Sequence, residues 1–422
     1  MFKITKPELL APAGDMFKLN HALRYGADAV YFGLGGYNMR SGATAFTPAD
    51  ITQAVKTCHS FNKKAYLALN TVVKEGELLG LYEALTQISP PYPDAVIVSD
   101  LGVLQMVKAL LKEVPIHIST QQSVSSALSA LAFKGLGASR VVLARELGLK
   151  DIKEIVLHLG GAVQCEVFVQ GAMCIAYSGR CLISSYLNGR SANSGACTQP
   201  CRWEYAALSL IEKQKGHSLE IVEQNGESFV LSSKDLCMIE HVRELMDCGV
   251  ASFKIEGRMK SAYYTALTTK AFRTAIDLAF ENKQYDSKKL LLELENVSHR
   301  EYDTGFFYAD PRVDAKTTKG SYIVKSQYIG SAIDAGAVKD DTALKEVKDG
   351  LVPFVLKNKV TENMAASLVR PKGDNAHFTI ARLYDKDFNR VRAVNRPGEI
   401  FYIEPDTRID IKPYDILITS VN

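Results

Sequence analysis

The chain has 422 residues, long enough for one large domain plus a smaller one, and its 47% hydrophobic content supplies a substantial core. A formal net charge of +3 excludes whole-molecule attraction to nucleic acid, so any such contact must come from a local basic surface. No apolar stretch of signal-peptide length precedes Glu8 and no run of about 18 apolar residues occurs, which predicts a cytoplasmic chain that spans no membrane.

Short β-branched runs alternate with amphipathic stretches from the start. The first strand is expected at 8–12 and the first helix at 17–25. A Gly26-Ala-Asp turn then leads into a strand at 29–32, followed by a helix at 48–59. The alternation continues with strand 65–70, helix 76–87, strand 95–99, helix 101–112, strand 116–119 and helix 123–135. Gly137-Ala-Ser repeats the turn before a strand at 140–144, and the seventh strand falls at 165–169. Gly249-Val-Ala stands before an eighth at 252–255. Eight strands alternating with helices predict an α/β fold, a (β/α)8 TIM-like barrel. An open doubly wound sheet is the runner-up, but no Gly-x-Gly-x-x-Gly follows the first strand.

After the seventh strand the alternation fails. Residues 171–235 form a Cys-rich insertion with a β-like pair at 205–211 and 218–223, and an insertion of that length in a barrel loop points to function. A helix at 261–280 and a polar helical connection at 283–296 complete the barrel domain, 1–296, with a linker expected at 297–318. From 319 to 422 the texture becomes strand-like, at 321–325, 350–357, 377–384, 398–403 and 415–419, which predicts a small C-terminal all-β domain resembling a barrel.

In such barrels the functional side chains lie on loops at the C-terminal ends of strands. Asn38 and Arg40 follow the second strand, Asn70 ends the third, Ser99 and Asp100 the fourth, and Ser119, Thr120 and Gln121 the fifth. Arg145 and Glu146 follow the sixth, and Glu256-Gly-Arg258 follows the eighth. Loops are polar in any case, so the weight rests on convergence rather than on one residue.

Seven of the eight cysteines fall between 165 and 248. Cys174, Cys181, Cys197 and Cys201 are spaced Cys-x6-Cys-x15-Cys-x3-Cys, with Cys237 following. In a reducing cytosol clustered thiols are read as metal ligands before disulfides. Four thiolates suit tetrahedral zinc or an iron–sulfur cluster, and the absence of any Cys-x2-Cys knuckle favours the cluster. Cys58, Cys165 and Cys248 sit in apolar helix or strand contexts and read as packing residues.

The stretch from Glu166 to Ser184 resembles the signature of the collagenase-like peptidase family of unassigned catalytic type, which includes prephenate-dependent RNA hydroxylases. The likeness extends to Glu8-Leu-Leu-Ala-Pro-Ala-Gly, Phe253-Lys-Ile-Glu-Gly-Arg and Ser298-His-Arg-Glu-Tyr-Asp-Thr-Gly-Phe. The Cys197-Thr-Gln-Pro-Cys201-Arg-Trp-Glu-Tyr segment and single β-rich tail look most like the branch that forms 5-hydroxyuridine at the tRNA wobble position. That resemblance implies prephenate as cosubstrate, a 4Fe-4S cluster on Cys174, Cys181, Cys197 and Cys237 with Cys201 as a fifth candidate, and the tRNA anticodon loop as partner. The rRNA cytidine hydroxylases and a collagenase-like peptidase are the alternatives. For the peptidase there is neither His-Glu-x-x-His nor Gly-x-Ser-x-Gly, and His117, His158 and His299 lie far apart.

On this reading Glu256, Arg258 and Arg145 are the candidate catalytic residues, and Asn38, Arg40, Gln121 and Lys254 the candidate substrate-binding residues. The cations would grip carboxylates or a phosphate, for which Arg offers a bidentate match. Trp203 and Tyr205 are candidates for stacking on an unpaired base. Arg180, Arg190, Arg202, Arg258 and Lys260 are expected on the face that meets RNA. The sequence leaves the oligomeric state and the oxygen source open.

Overall fold

A computed structural model describes residues 5–40, 46–174, 176, 181, 183–190, 192–202, 233–309, 322–334 and 351–421, together with short strands between 210 and 229. The chain divides into two compact units, Met1–Leu291 with His299–Tyr322, and Leu292–Ser298 with Ile323–Asn422.

The first unit opens with β1 (Glu8–Pro12), α1 (Met16–Arg24), β2 (Ala29–Gly33), α2 (Pro48–Ser60), β3 (Lys64–Leu69) and α3 (Leu78–Thr86). It continues with β4 (Ala95–Val98), α4 (Leu101–Leu110), β5 (Ile116–Ile118), α5 (Ala127–Gly135), β6 (Ala138–Val142), α6 (Leu149–Leu159) and β7 (Gln164–Ala172). After the insertion, which carries α7 (Ile183–Asn188), come α8 (Val242–Asp247), β8 (Ser252–Ile255), α9 (Ala262–Phe280) and α10 (Ser287–Leu294). Each of β1 to β8 pairs in parallel with its neighbour, and β8 closes the ring by pairing with both β7 and β1. This is the (β/α)8 barrel that the alternation predicts.

The helices start where the chain offers caps. The Asp15 carboxylate accepts from Lys18 N at 2.8 Å, and Thr47 and Asp50 form a capping box with Pro48 in the first turn. Ser261, expected as the first residue of α9, is instead its N-cap, accepting from Tyr264 N at 3.1 Å. Gly26, placed by sequence at a helix-to-strand turn, has φ +106°, a conformation that a Cβ would strain.

Two short strands flank the barrel. Asp235–Cys237 runs antiparallel to β7, with Cys237 opposite Gln170, and Tyr302–Asp303 pairs in parallel with it. Residues from the stretch expected as a linker thus belong to the first unit. Arg300, 1% exposed, is the reason: its Nη2 and Nε donate to Asp235 Oδ1 at 2.6 and 3.0 Å, and its Nη1 donates to Ser233 Oγ. In the insertion Leu210–Ile211 pairs with Ser218–Leu219 and Val222–Gln224 with Glu227–Phe229, while 205–209 lies outside the described residues.

The second unit is a closed antiparallel barrel of β9 (Ser326–Ala332), β10 (Pro353–Leu356), β11 (Ala365–Val369), β12 (Ala376–Tyr384), β13 (Ile400–Pro405) and β14 (Ile416–Ser420). Ile329, Phe354, Leu368, Ile380, Phe401 and Leu417 fill it. The strand expected at 321–325 falls later, because Ile329 and Ala332 rather than Ile323 supply the inward face. β11 escaped the sequence reading, its Ala-Ala-Ser start being weakly β-branched.

Candidate active site

Eight strands with alternating side chains leave a narrow channel, and in this chain it is filled largely by charge. On β1, β6, β7 and β8 the inward positions are Glu8, Arg140, Glu166 and Lys254. Arg140 Nη1 lies 2.6 Å from Glu8 Oε1 and 3.1 Å from Glu166 Oε2, and Lys254 Nζ lies 3.0 Å from Glu166 Oε1. Tyr66 donates to Glu8 Oε2 at 2.7 Å. Glu166 is fully buried; burial alone would raise its carboxyl, but Lys254, Arg140 and His117 bring it down to about 2. Burial, reinforced by Arg140, pushes His117 down to about 3, so its ring is neutral. The sequence reading missed this column, whose signal was a charged residue inside each of four apolar strand runs.

Above the column, at the C-terminal ends of the strands, lies a narrow cleft of about 30 Å³. Arg40, Gln121, Arg145, Lys254, Glu256 and Arg258 all line it. Asn38, the remaining candidate, is buried beside it and accepts from Arg258 Nη1 at 3.0 Å through its Oδ1. Six residues from loops after β2, β5, β6 and β8, with Lys254 from within β8, therefore meet at one place.

Glu256 organises the charges. Its Oε1 accepts from Arg40 Nη2 at 2.8 Å and Nε at 3.1 Å, and its Oε2 accepts from Tyr31 at 3.2 Å. Burial would raise its carboxyl, yet Arg40, Arg258, Arg145 and Lys254 hold it at about 2. A general acid at neutral pH needs the opposite displacement. Glu256, expected as a catalytic residue, is thus held ionised and anchors Arg40. Lys254 forms the floor, tied to Glu166 and 4.5 Å from the centre of the Tyr31 ring. Arg145 donates from Nη1 to the Ala172 carbonyl at 3.1 Å and lies over Phe168. Arg258 is 3% exposed, burial lowers its pKa, and its buried Nε has no hydrogen-bond partner among the described residues.

Among the described residues four cations face one carboxylate across this cleft. Such an excess in a site of low dielectric favours an anion with more than one carboxylate or phosphate oxygen.

The insertion borders the same mouth. Burial raises the Cys181 thiol, and the neighbouring Cys174 and Cys197 raise it further, so these three lie within electrostatic reach of one another. Cys197 also acts on Arg40, which links the thiols to the cleft. Cys237 is buried on the strand beside β7, and Cys201 is partly exposed. None of the five is in a disulfide. Among the described residues no three His, Cys, Asp or Glu side chains converge as a metal-holding group. The donor chemistry, soft and not cross-linked, fits an iron–sulfur cluster or zinc rather than a hard cation. By contrast burial pushes Cys58 and Cys165 up to about 12 and Cys248 to about 11, as packing thiols require. Trp203, Tyr205 and Arg180 lie outside the described residues, as does the side chain of Arg202.

Residues 14–317 match peptidase family U32, and residues 335–417 match the peptidase family U32 C-terminal domain. The chain belongs to peptidase family U32. This U32 chain is 46% identical over 307 residues to an uncharacterized protease of Methanocaldococcus jannaschii, covering 72% of this chain and 73% of that one. It is 33% identical over 417 residues to tRNA hydroxylation protein P of Escherichia coli, covering 90% and 89%. It is also 35% identical over 276 residues to the 23S rRNA 5-hydroxycytidine C2501 synthase of Escherichia coli, covering 65% of this U32 chain and 40% of that protein. No described helix is long and apolar enough to cross a membrane.

Proposed function

We propose that this U32 chain is a cytoplasmic iron–sulfur RNA hydroxylase that forms 5-hydroxyuridine at the wobble position of tRNA, with prephenate as cosubstrate. One observation carries the reading. The likeness to tRNA hydroxylation protein P covers 90% of the chain, whereas the likeness to the rRNA 5-hydroxycytidine synthase covers 65% of this chain and 40% of that protein.

The cleft supports it chemically. Arg40, Arg145 and Arg258 offer planar donors for two carboxylates, and Lys254 closes the floor beneath them. Glu256 holds the Arg40 guanidinium in one orientation, so little ordering is left for the moment of binding. Cys174, Cys181, Cys197 and Cys237, with Cys201 as a fifth donor, would hold the cluster, which when bound supplies electron-transfer capacity beside the cleft.

Mass spectrometry of nucleosides from a deletion strain tests the reading. Hydroxylated uridine should vanish from tRNA and return with the wild-type chain. Loss of hydroxycytidine from rRNA would move the assignment to the rRNA branch. Unchanged nucleosides together with lost peptide cleavage would move it to a collagenase-like peptidase.

A further inference from the structure

Beside the cationic cleft, and sharing Asn70 and Gln121 with it, lies a second crevice of about 290 Å³. Its chemistry is different. Among the described residues no Lys or Arg lines it; its polar side chains are the hydroxyl of Ser99, the Asp100 carboxylate and the carboxamides of Asn70, Gln121, Gln122 and Asn193. Its apolar walls are Val72 and Leu101, which are 53% and 52% exposed and so leave apolar surface open to a ligand.

The N-terminus of α4 opens into this crevice, and such an end would ordinarily attract phosphate. Here Asp100 has already engaged it. Its Oδ1 accepts from Gly102 N at 2.7 Å and Val103 N at 3.0 Å, and its charge repels an anion. The crevice is therefore built for a neutral ligand, next to one built for an anion.

Most of the amides are committed to the frame. Asn70 Oδ1 accepts from Met39 N at 3.2 Å, and Gln122 donates to the Ser99 carbonyl. Asn193 joins the crevice to the insertion: its carbonyl accepts from Val72 N at 3.0 Å and its Oδ1 from Cys181 N at 3.4 Å. The Gln121 carboxamide, at the boundary of the two spaces, has no hydrogen-bond partner among the described residues. It presents one donor group and one acceptor that are free to meet a ligand.

We propose that this crevice is the nucleobase subsite. It receives the neutral pyrimidine ring of the RNA substrate, with ring faces against Val72 and Leu101 and the hydrogen-bonding edge toward Gln121. Apolar walls with an amide at the edge are what a base removed from its stack needs, since stacking is indifferent to sequence and the edge carries identity. The placement sets the reacting ring between the anion cleft on one side and Cys181 on the other. The inference rests on the RNA-hydroxylase reading and adds to it which residues select the base.

The test uses the full-length holoprotein with an anticodon stem-loop RNA and prephenate. Gln121→Ala should lower kcat/KM for RNA about ten-fold or more, the worth of a good edge contact, while KM for prephenate changes little. Leu101→Ala, at a half-exposed position, should weaken RNA use in the same direction with an unchanged melting temperature. Arg40→Lys should show the reverse split, raising KM for prephenate most. Gln121→Glu leaves only acceptors at the edge and should shift preference from a uridine-centred toward a cytidine-centred stem-loop, because cytosine N4 is a donor. If the wild type hydroxylates RNA while both Gln121→Ala and Leu101→Ala retain wild-type kcat/KM, the base subsite is wrong and the RNA reading stands. If the wild type leaves every RNA nucleoside unchanged, both fall.

Discussion

Replacing Glu166 by Gln removes a charge without opening a cavity, at a position with no solvent exposure. The carboxylate joins Lys254 Nζ at 3.0 Å to Arg140 Nη1 at 3.1 Å, and the amide leaves Lys254 facing a neutral group and Arg140 with Glu8 alone. The fall of the Glu166 carboxyl from 4.5 to about 2 corresponds to roughly 3 kcal/mol of stability at neutral pH. Breaking one side of a buried pair independently costs about 3–5 kcal/mol. The two routes agree, so Glu166→Gln should lose about 3 kcal/mol at pH 7. Because the folded carboxyl is depressed, this contribution is complete above pH 4.5 and disappears as pH falls through about 2, so variant and wild type should converge in acid. Urea denaturation followed at 222 nm reads it, since nearly all the helix belongs to the barrel unit. Adding Lys254→Met to Glu166→Gln should restore more than half of the loss. A loss under about 1 kcal/mol, the scale of an exposed pair, would refute the buried column as a stabilising device.

Other outcomes follow from neighbouring geometry. His117 is held neutral, with its pKa down to about 3, so the unfolded chain takes up a proton first below pH 6.5 and stability should fall from there toward pH 3; in His117→Gln the melting temperature should vary less over that window. Arg300→Met strands the buried Asp235 carboxylate and should cost about 3–5 kcal/mol in urea denaturation, with Arg300→Lys intermediate. Gly195 has φ +81°, and a Cβ there would sit 2.3 Å from the Asn38 carbonyl oxygen; Gly195→Ala should displace the Cys197 segment and deplete the broad absorption near roughly 400 nm of anaerobically purified protein, as Cys174→Ala should and Cys58→Ala should not. Arg190 is exposed in the Cys-rich insertion, so Arg190→Glu should weaken tRNA binding and flatten its dependence on salt by about one phosphate, read by fluorescence anisotropy at several ionic strengths.

Much of the candidate site was legible because barrel chemistry is local in sequence. Asn38, Arg40, Gln121, Arg145, Glu256 and Arg258 each stand just after a run that reads as a strand, and closure brings those loop positions to one rim. What each residue does there was not legible. Glu256 was legible as a catalytic candidate, but its pairing with Arg40, 216 residues earlier in the chain, which holds the carboxyl low, was not. Lys254 was legible as a candidate ligand contact, but its pairing with Glu166 beneath the cleft was not. Gln121 was visible as a polar loop residue, but nothing local distinguished its free amide from the committed one of Gln122.

The sequence by itself determined the alternation of strands and helices, the caps and turns, the Cys-rich insertion, the change to a β-rich tail and the family. These depend on periodicity and on contacts a few residues apart, which a linear pattern records. Only the tertiary structure decided the column of charge inside the barrel, the inclusion of Arg300 in the first unit, and the division of the mouth into an anionic-ligand cleft and a neutral crevice. Those depend on which inward positions meet when β8 closes on β1, and on how far burial strengthens each charge, neither of which has a signature in the order of residues.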